Sequence, residues 1–122
     1  MIAVLSDIHA NLAALEAVLD DEGSWDRFVF LGDAVLAGPQ PDEVLSLLRE
    51  VADVCLTGNH DREVLSLDMD EPVSGASRSW RRWHRESISP ENLPRQNPAL
   101  GLGIQVWGSR RQLGRLDPLL KR

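Results

Sequence analysis

Thiols are almost absent from this chain. One cysteine, Cys55, occurs in 122 residues, so no disulfide can close within it. Cys55 lies in an apolar run, where a buried and inert thiol is expected. No stretch of about 18 apolar residues exists, which excludes a transmembrane helix as an expectation. The opening MIAVLSD lacks a basic n-region and carries only a short apolar run, so no signal peptide is expected and cytoplasm is the expected location. Lysine is nearly missing too: Lys121 is the single lysine among 13 basic residues. Histidine is limited to His9, His60 and His84.

What is present suits one compact domain, 43% hydrophobic and too short to divide in two. Its net charge of −6 is unevenly spread. Met1 to Glu71 holds 16 acids and 3 arginines, a net −13, whereas Pro72 to Arg122 holds 3 acids and 10 basic residues, a net +7. The acidic part repels phosphates, so non-specific nucleic-acid binding is not expected.

Strand and helix patterns alternate through the first half. Ile2–Leu5, Arg27–Leu31 and Val54–Leu56 are short apolar runs that predict strands. Leu12, Leu15, Val18 and Leu19 recur at helical spacing behind Asn11, a cap more naturally than a ligand. The turn Gly38-Pro39-Gln40-Pro41-Asp42 leads into a second helix with Val44, Leu45, Leu47, Leu48 and Val51 on its apolar face. This order predicts βαβ units and a parallel sheet. Further on, Glu63–Leu67 suggests a helical turn, Asp68–Gly75 a loop, and Ser77–Ser87 a helix capped by Ser77. On that last helix Trp80 and Trp83 are expected in the core or over it, together with Trp107 beyond the helix. Arg81, Arg82 and Arg85 are expected on a solvated face and His84 at the surface. Ser89-Pro90-Glu91 suggests another helix start. From about Pro94 the chain turns basic and rich in glycine and proline, with one short strand expected at Ile104–Trp107. The expected division is 1–94 as the folded part and 95–122 as a divergent basic tail.

Three polar clusters follow the three predicted strands: Ser6-Asp7-Ile8-His9, Gly32-Asp33 and Gly58-Asn59-His60-Asp61. In an open α/β sheet, ligands bind beyond the carboxyl ends of the strands. Asp7, His9, Asp33 and Asn59 would converge there as oxygen donors with one imidazole and no thiolate, a set that suits Mn²⁺, Fe²⁺, Mg²⁺ or Zn²⁺. A carboxylate between two cations could bridge them, as in two-metal phosphate-ester hydrolysis. His60 beside the site could stabilise charge or protonate a leaving oxygen, and Asp61 could orient His60. Each cluster alone has a plainer reading as a turn or a helix cap. An aspartyl-phosphate on Asp7 or Asp33 is a competing chemistry that leaves His9, Asn59 and His60 unused.

The segments S-D-I-H-A-N-L (6–12), L-G-D (31–33), A-G-P-Q-P-D-E-V (37–44) and T-G-N-H-D (57–61) resemble the calcineurin-like metallophosphoesterases, closest to their small prokaryotic phosphodiesterase and phosphatase branch. S-W-R-R-W-H-R-E-S-I-S-P-E-N-L (79–93) extends the likeness more loosely. The resemblance implies an α/β fold: the N-terminal βαβαβ half of a four-layer α/β/β/α sandwich, with the second half largely missing. It implies hydrolysis of phosphomono- or phosphodiester bonds through two divalent ions, manganese favoured. Asp7 and His9 would bind the first ion, Asp33 would bridge, Asn59 would bind the second, and His60 with Asp61 would be catalytic. Family members also carry a later Gly-His and a Gly-His-x-His, and neither occurs here. A C-terminally truncated enzyme, from a shifted or prematurely ended reading frame, is therefore one expectation. An inactive metal-binding or interaction module is the other, with an exposed apolar sheet face through which copies of the chain could associate.

Overall fold

A computed structural model of the chain describes residues 1–21, 25–65 and 77–93 in full, and the backbone of two short strands at 95–96 and 105–106. Strand β1 (Ile2–Leu5), helix α1 (Leu12–Asp20), strand β2 (Arg27–Phe30), helix α2 (Pro41–Val51) and strand β3 (Val54–Cys55) follow in sequence. Helix α3 (Asn59–Leu65), helix α4 (Arg78–Ser87), a 3₁₀ turn at Pro90–Asn92 and strands β4 (Arg95–Gln96) and β5 (Gln105–Val106) come after them. The sheet runs β1-β2-β3 with both pairings parallel. This is the α/β arrangement expected for the N-terminal part of a metallophosphoesterase fold. β4 and β5 pair antiparallel as a separate ribbon. The strand expected at Ile104–Trp107 is thus present at Gln105–Val106, while Trp107 and the loop expected at Asp68–Gly75 lie outside the described residues. Among the described residues, no helix is long and apolar enough to cross a membrane.

Local chemistry sets the helix starts. The Asn11 side chain accepts from the Ala14 amide at 3.0 Å, as its predicted capping role requires. α2 begins on Pro41, whose missing N–H is no loss at that position. Ser77 caps α4 through the Trp80 amide at 3.2 Å. α3 starts earlier than its apolar residues suggest, at Asn59, because the polar Asn-His-Asp run forms its first turn.

The core lies between one sheet face and the helices. Leu15 of α1, Val44, Leu45 and Leu48 of α2, and Phe28, Phe30 and Cys55 of the strands are buried together. On the opposite face Ile2 and Val4 are 63% and 58% exposed, and Leu31 just past β2 is exposed as well. Parallel sheets ordinarily have both faces covered. This one presents a row of apolar side chains to solvent.

Candidate metal centre

The parallel ladder does not stop where the strands do. Past β1 and β2, backbone bonds continue from Asp7 N to Gly32 O, from His9 N to Asp33 O and from Ala10 N to Ala34 O, at 2.7 to 3.0 Å. The two loops are thereby fastened to each other in an irregular conformation. Asp7, His9, Ala10, Asp33, Leu36 and Ala37 all have left-handed φ, between 49° and 77°. For non-glycine residues such backbone costs roughly 1–2 kcal/mol each. Strain of this kind persists where surrounding bonds over-determine it, and it gathers at functional sites.

Asp61 supplies much of that determination from the first turn of α3. It is fully buried. Its Oδ2 accepts from Asp33 N at 2.7 Å and Gly58 N at 2.9 Å, and its Oδ1 from Val35 N at 3.0 Å. One carboxylate thus pins the loop after β2 to the turn after β3. Close approach of these segments excludes side chains at two positions. A Cβ on Gly32 would meet Gly58 N at 2.5 Å, and one on Gly58 would overlap Asp33 Oδ1.

The result is a cluster at the ends of all three strands. One ligand atom each from His9, Asp33 and His60 lies within 4.8 Å of the others. The His9 and His60 rings are 4.9 Å apart between centroids. Asp33 Oδ1 accepts from His60 N at 3.0 Å while its Oδ2 stands 3.9 Å from His60 Nδ1. Asp7 joins from the rim, its Oδ1 3.4 Å from His9 Nε2. A hydrogen bond from Ser6 first, and then the neighbouring His9 and Asp33, lower the Asp7 carboxyl from its ordinary value against the opposing cost of burial. Asn59, the first residue of α3, is exposed next to them. An open cavity of about 480 Å³ borders Asp7 and His9 and extends along Asn11 and Ala37–Gln40.

The donor chemistry fits a cation. His9 Nδ1 lies 3.2 Å from the Val35 carbonyl. A carbonyl only accepts, so this bond puts the ring proton on Nδ1 and leaves Nε2 as a bare lone pair. That lone pair faces the Asp7 carboxylate, and two acceptors held 3.4 Å apart call for a positive charge between them. Ligands bonded at about 2.1 Å to one ion stand roughly 3–4 Å from each other, the separation seen here. His60 Nδ1 is buried without a hydrogen-bond partner, as a nitrogen meant for a bound ion or its phosphate would be.

Comparison with known proteins agrees with this chemistry. The family model for calcineurin-like phosphoesterases matches residues 1–116. The chain belongs to that family. An uncharacterized protein of Methanocaldococcus jannaschii is 38% identical over 95 residues, 76% of this chain and 39% of its own. The crystal structure of a metallophosphoesterase from Sphaerobacter thermophilus superposes with a TM-score of 0.52 at 37% identity, covering 79% of this chain and 43% of that one. The chain therefore spans less than half the length of the relatives it matches.

As a calcineurin-like phosphoesterase, the chain brings together Asp7, His9, Asp33 and His60 and leaves Asn59 exposed at their edge. Asp61 bonds backbone amides in this arrangement. Two expectations for α4 are reversed. His84, expected at the surface, is 0% exposed, and Arg81, expected on a solvated face, is buried; Trp80 and Trp83, expected in the core or over it, are 42% and 47% exposed and lie over the His84 ring. The loop against α4 explains the inversion, because its left-handed backbone leaves the Leu36 N–H without a ladder partner. His84 Nδ1 accepts from that N–H at 3.3 Å, which a tryptophan could not do. Burial pushes the His84 imidazole down to about 4, so it stays neutral and accepting. Sequence reasoning also missed Glu63, which is buried on α3. Cys55 is buried as expected, and its thiol is pushed far up by burial and then by the Asp61 charge.

Proposed function

We propose that the chain is a metal-dependent phosphoesterase of the cytoplasm, hydrolysing phosphomono- or phosphodiester bonds at a two-metal site, with manganese favoured over iron, zinc or magnesium. Asp7 and His9 would hold one ion and Asn59 a second, with Asp33 available to both. Such ions, when bound, neutralise the phosphate and polarise its P–O bonds. They also admit an anionic ester to an acidic surface that otherwise repels free nucleic acid. His60 faces the phosphate or leaving oxygen and supplies the proton. Asp61 supports His60 by holding the Gly58–His60 turn against Asp33.

The observation that carries this reading is the opposition of bare His9 Nε2 and the Asp7 carboxylate beside Asp33 and His60. Its test is hydrolysis of bis-p-nitrophenyl phosphate by the purified chain with Mn²⁺, set against Asp33→Asn. Turnover that falls at least about 100-fold in the variant supports the enzyme. A folded chain with no turnover above the variant argues against it.

The exposed apolar face formed by Ile2, Val4 and Leu31 favours a second reading, in which the chain is a metal-binding module that associates with a copy of itself. Gel filtration as a dimer, with Mn²⁺ bound and no turnover, would select that reading.

A further inference from the structure

Two histidines grip opposite ends of a single peptide group. The Val35 carbonyl takes the bond from His9 Nδ1 at 3.2 Å, and the Leu36 N–H of that same peptide donates to His84 Nδ1 at 3.3 Å. Because a peptide unit is planar and rigid, the two bonds share one orientation: turning the plane breaks both. The Leu36 backbone is left-handed at φ 70°, so the plane sits in a conformation that its own sterics do not favour. Asp61 fixes the preceding peptide through Val35 N, one plane back from the group that the two histidines grip.

The placement of His84 is costly on packing grounds alone. It is wholly buried, and its Nε2 has no hydrogen-bond partner. With Nδ1 accepting, Nε2 carries the proton, so a donor is left unmet. The Trp83 ring lies edge-on at 5.1 Å and the Trp80 ring at 6.1 Å, both on the same helix and partly exposed. A helix docked for hydrophobic burial would present a tryptophan here. What the histidine contributes instead is an acceptor for Leu36.

We propose that His84 is a positioning residue of the metal centre, holding the Val35–Leu36 peptide so that its carbonyl fixes the His9 ring with Nδ1 protonated and Nε2 bare toward Asp7. The consequence for metal binding rests on the metal-site reading above, whereas the effect on the His9 tautomer does not. His84 touches neither substrate nor ion; it acts through one peptide on the residue that would.

Long-range ¹H–¹⁵N spectra of the metal-free chain test this directly, because only three histidines contribute. In the wild type His9 shows the Nδ1–H form and His84 the Nε2–H form. His84→Leu, which fills the space without an acceptor, shifts His9 towards the Nε2–H form common in free imidazole. His84→Asn, whose Oδ1 can accept from Leu36, restores the Nδ1–H form. Mn²⁺ affinity follows in the same order, about 10-fold or more weaker in the leucine variant and recovered in the asparagine variant. An Nε2–H tautomer of His9 in the wild type overturns the proposal. So does an unchanged His9 in folded His84→Leu, or a His84→Asn variant that loses the wild-type His9 tautomer. If His84→Leu does not fold, the wild-type tautomer and the asparagine variant still decide. A wild type that shows the expected tautomer but takes up no Mn²⁺ contradicts the metal reading and leaves the relay standing.

Discussion

Asp61 illustrates how much of the His9–Asp33–His60 cluster is built by a residue outside it. Both of its oxygens are engaged by backbone amides, and those amides belong to the Asp33 loop and the Gly58 turn. Replacing it with asparagine turns one acceptor into a donor facing other donors. Asp61→Asn should therefore lose about 2–4 kcal/mol in denaturant unfolding, since bonds to a charged group are strong and a buried mismatch is penalised. His84 makes a prediction in pH. Its folded value of about 4 lies below the 6.5 of an exposed imidazole, so the unfolded chain takes up the proton first. The contribution is complete above pH 6.5 and is lost as pH falls towards 4. Stability should drop by about 2 kcal/mol between pH 7 and pH 5, and that slope should vanish in His84→Asn. Neither role was legible in the sequence. A histidine between tryptophans and arginines looks like a surface residue unless the unpaired Leu36 N–H opposite is known. The convergence of Asp7, His9 and Asp33 was legible for the opposite reason: each lies in the loop just past a strand, and strand ends converge by topology.

At the scale of elements, the loops decide the site more than the helices do. The strands and the first two helices were readable because apolar spacing and caps agree: Leu15 is buried where the helical period puts it, and Asn11 caps as expected. α4 was not readable to the same degree. Ser77 marks its start, but hydrophobicity does not reveal what the facing loop needs, so the burial of Arg81 and His84 is hidden in the spacing. Polar replacements at Trp80 and Trp83, each more than half buried over His84, should cost stability, about 1–2 kcal/mol apiece, more than metal affinity. Gly58→Ala should do the reverse. Its new Cβ would displace the Asp33 carboxylate, so Mn²⁺ binding, followed by calorimetry, should weaken about 10-fold or more even where the fold survives.

Among the described residues, the three-stranded sheet has one finished face. Phe28, Phe30 and Cys55 seal one side against the helices, while Ile2, Val4 and Leu31 leave the other apolar and open. Ile2→Thr with Val4→Thr should reduce self-association and dye binding by the folded chain, with little change in midpoint temperature, because these side chains are exposed in the monomer. The His9–Asp33–His60 cluster lies at the strand ends rather than on that face, so it can be tested independently of what the face binds. The most direct test is Mn²⁺ binding by the purified chain followed by electron paramagnetic resonance, with Asp33→Asn as the comparison. The account predicts saturable uptake by the wild type and a loss of at least about 10-fold in affinity in the variant. Equal binding by the two folded proteins, or none by either, would contradict it.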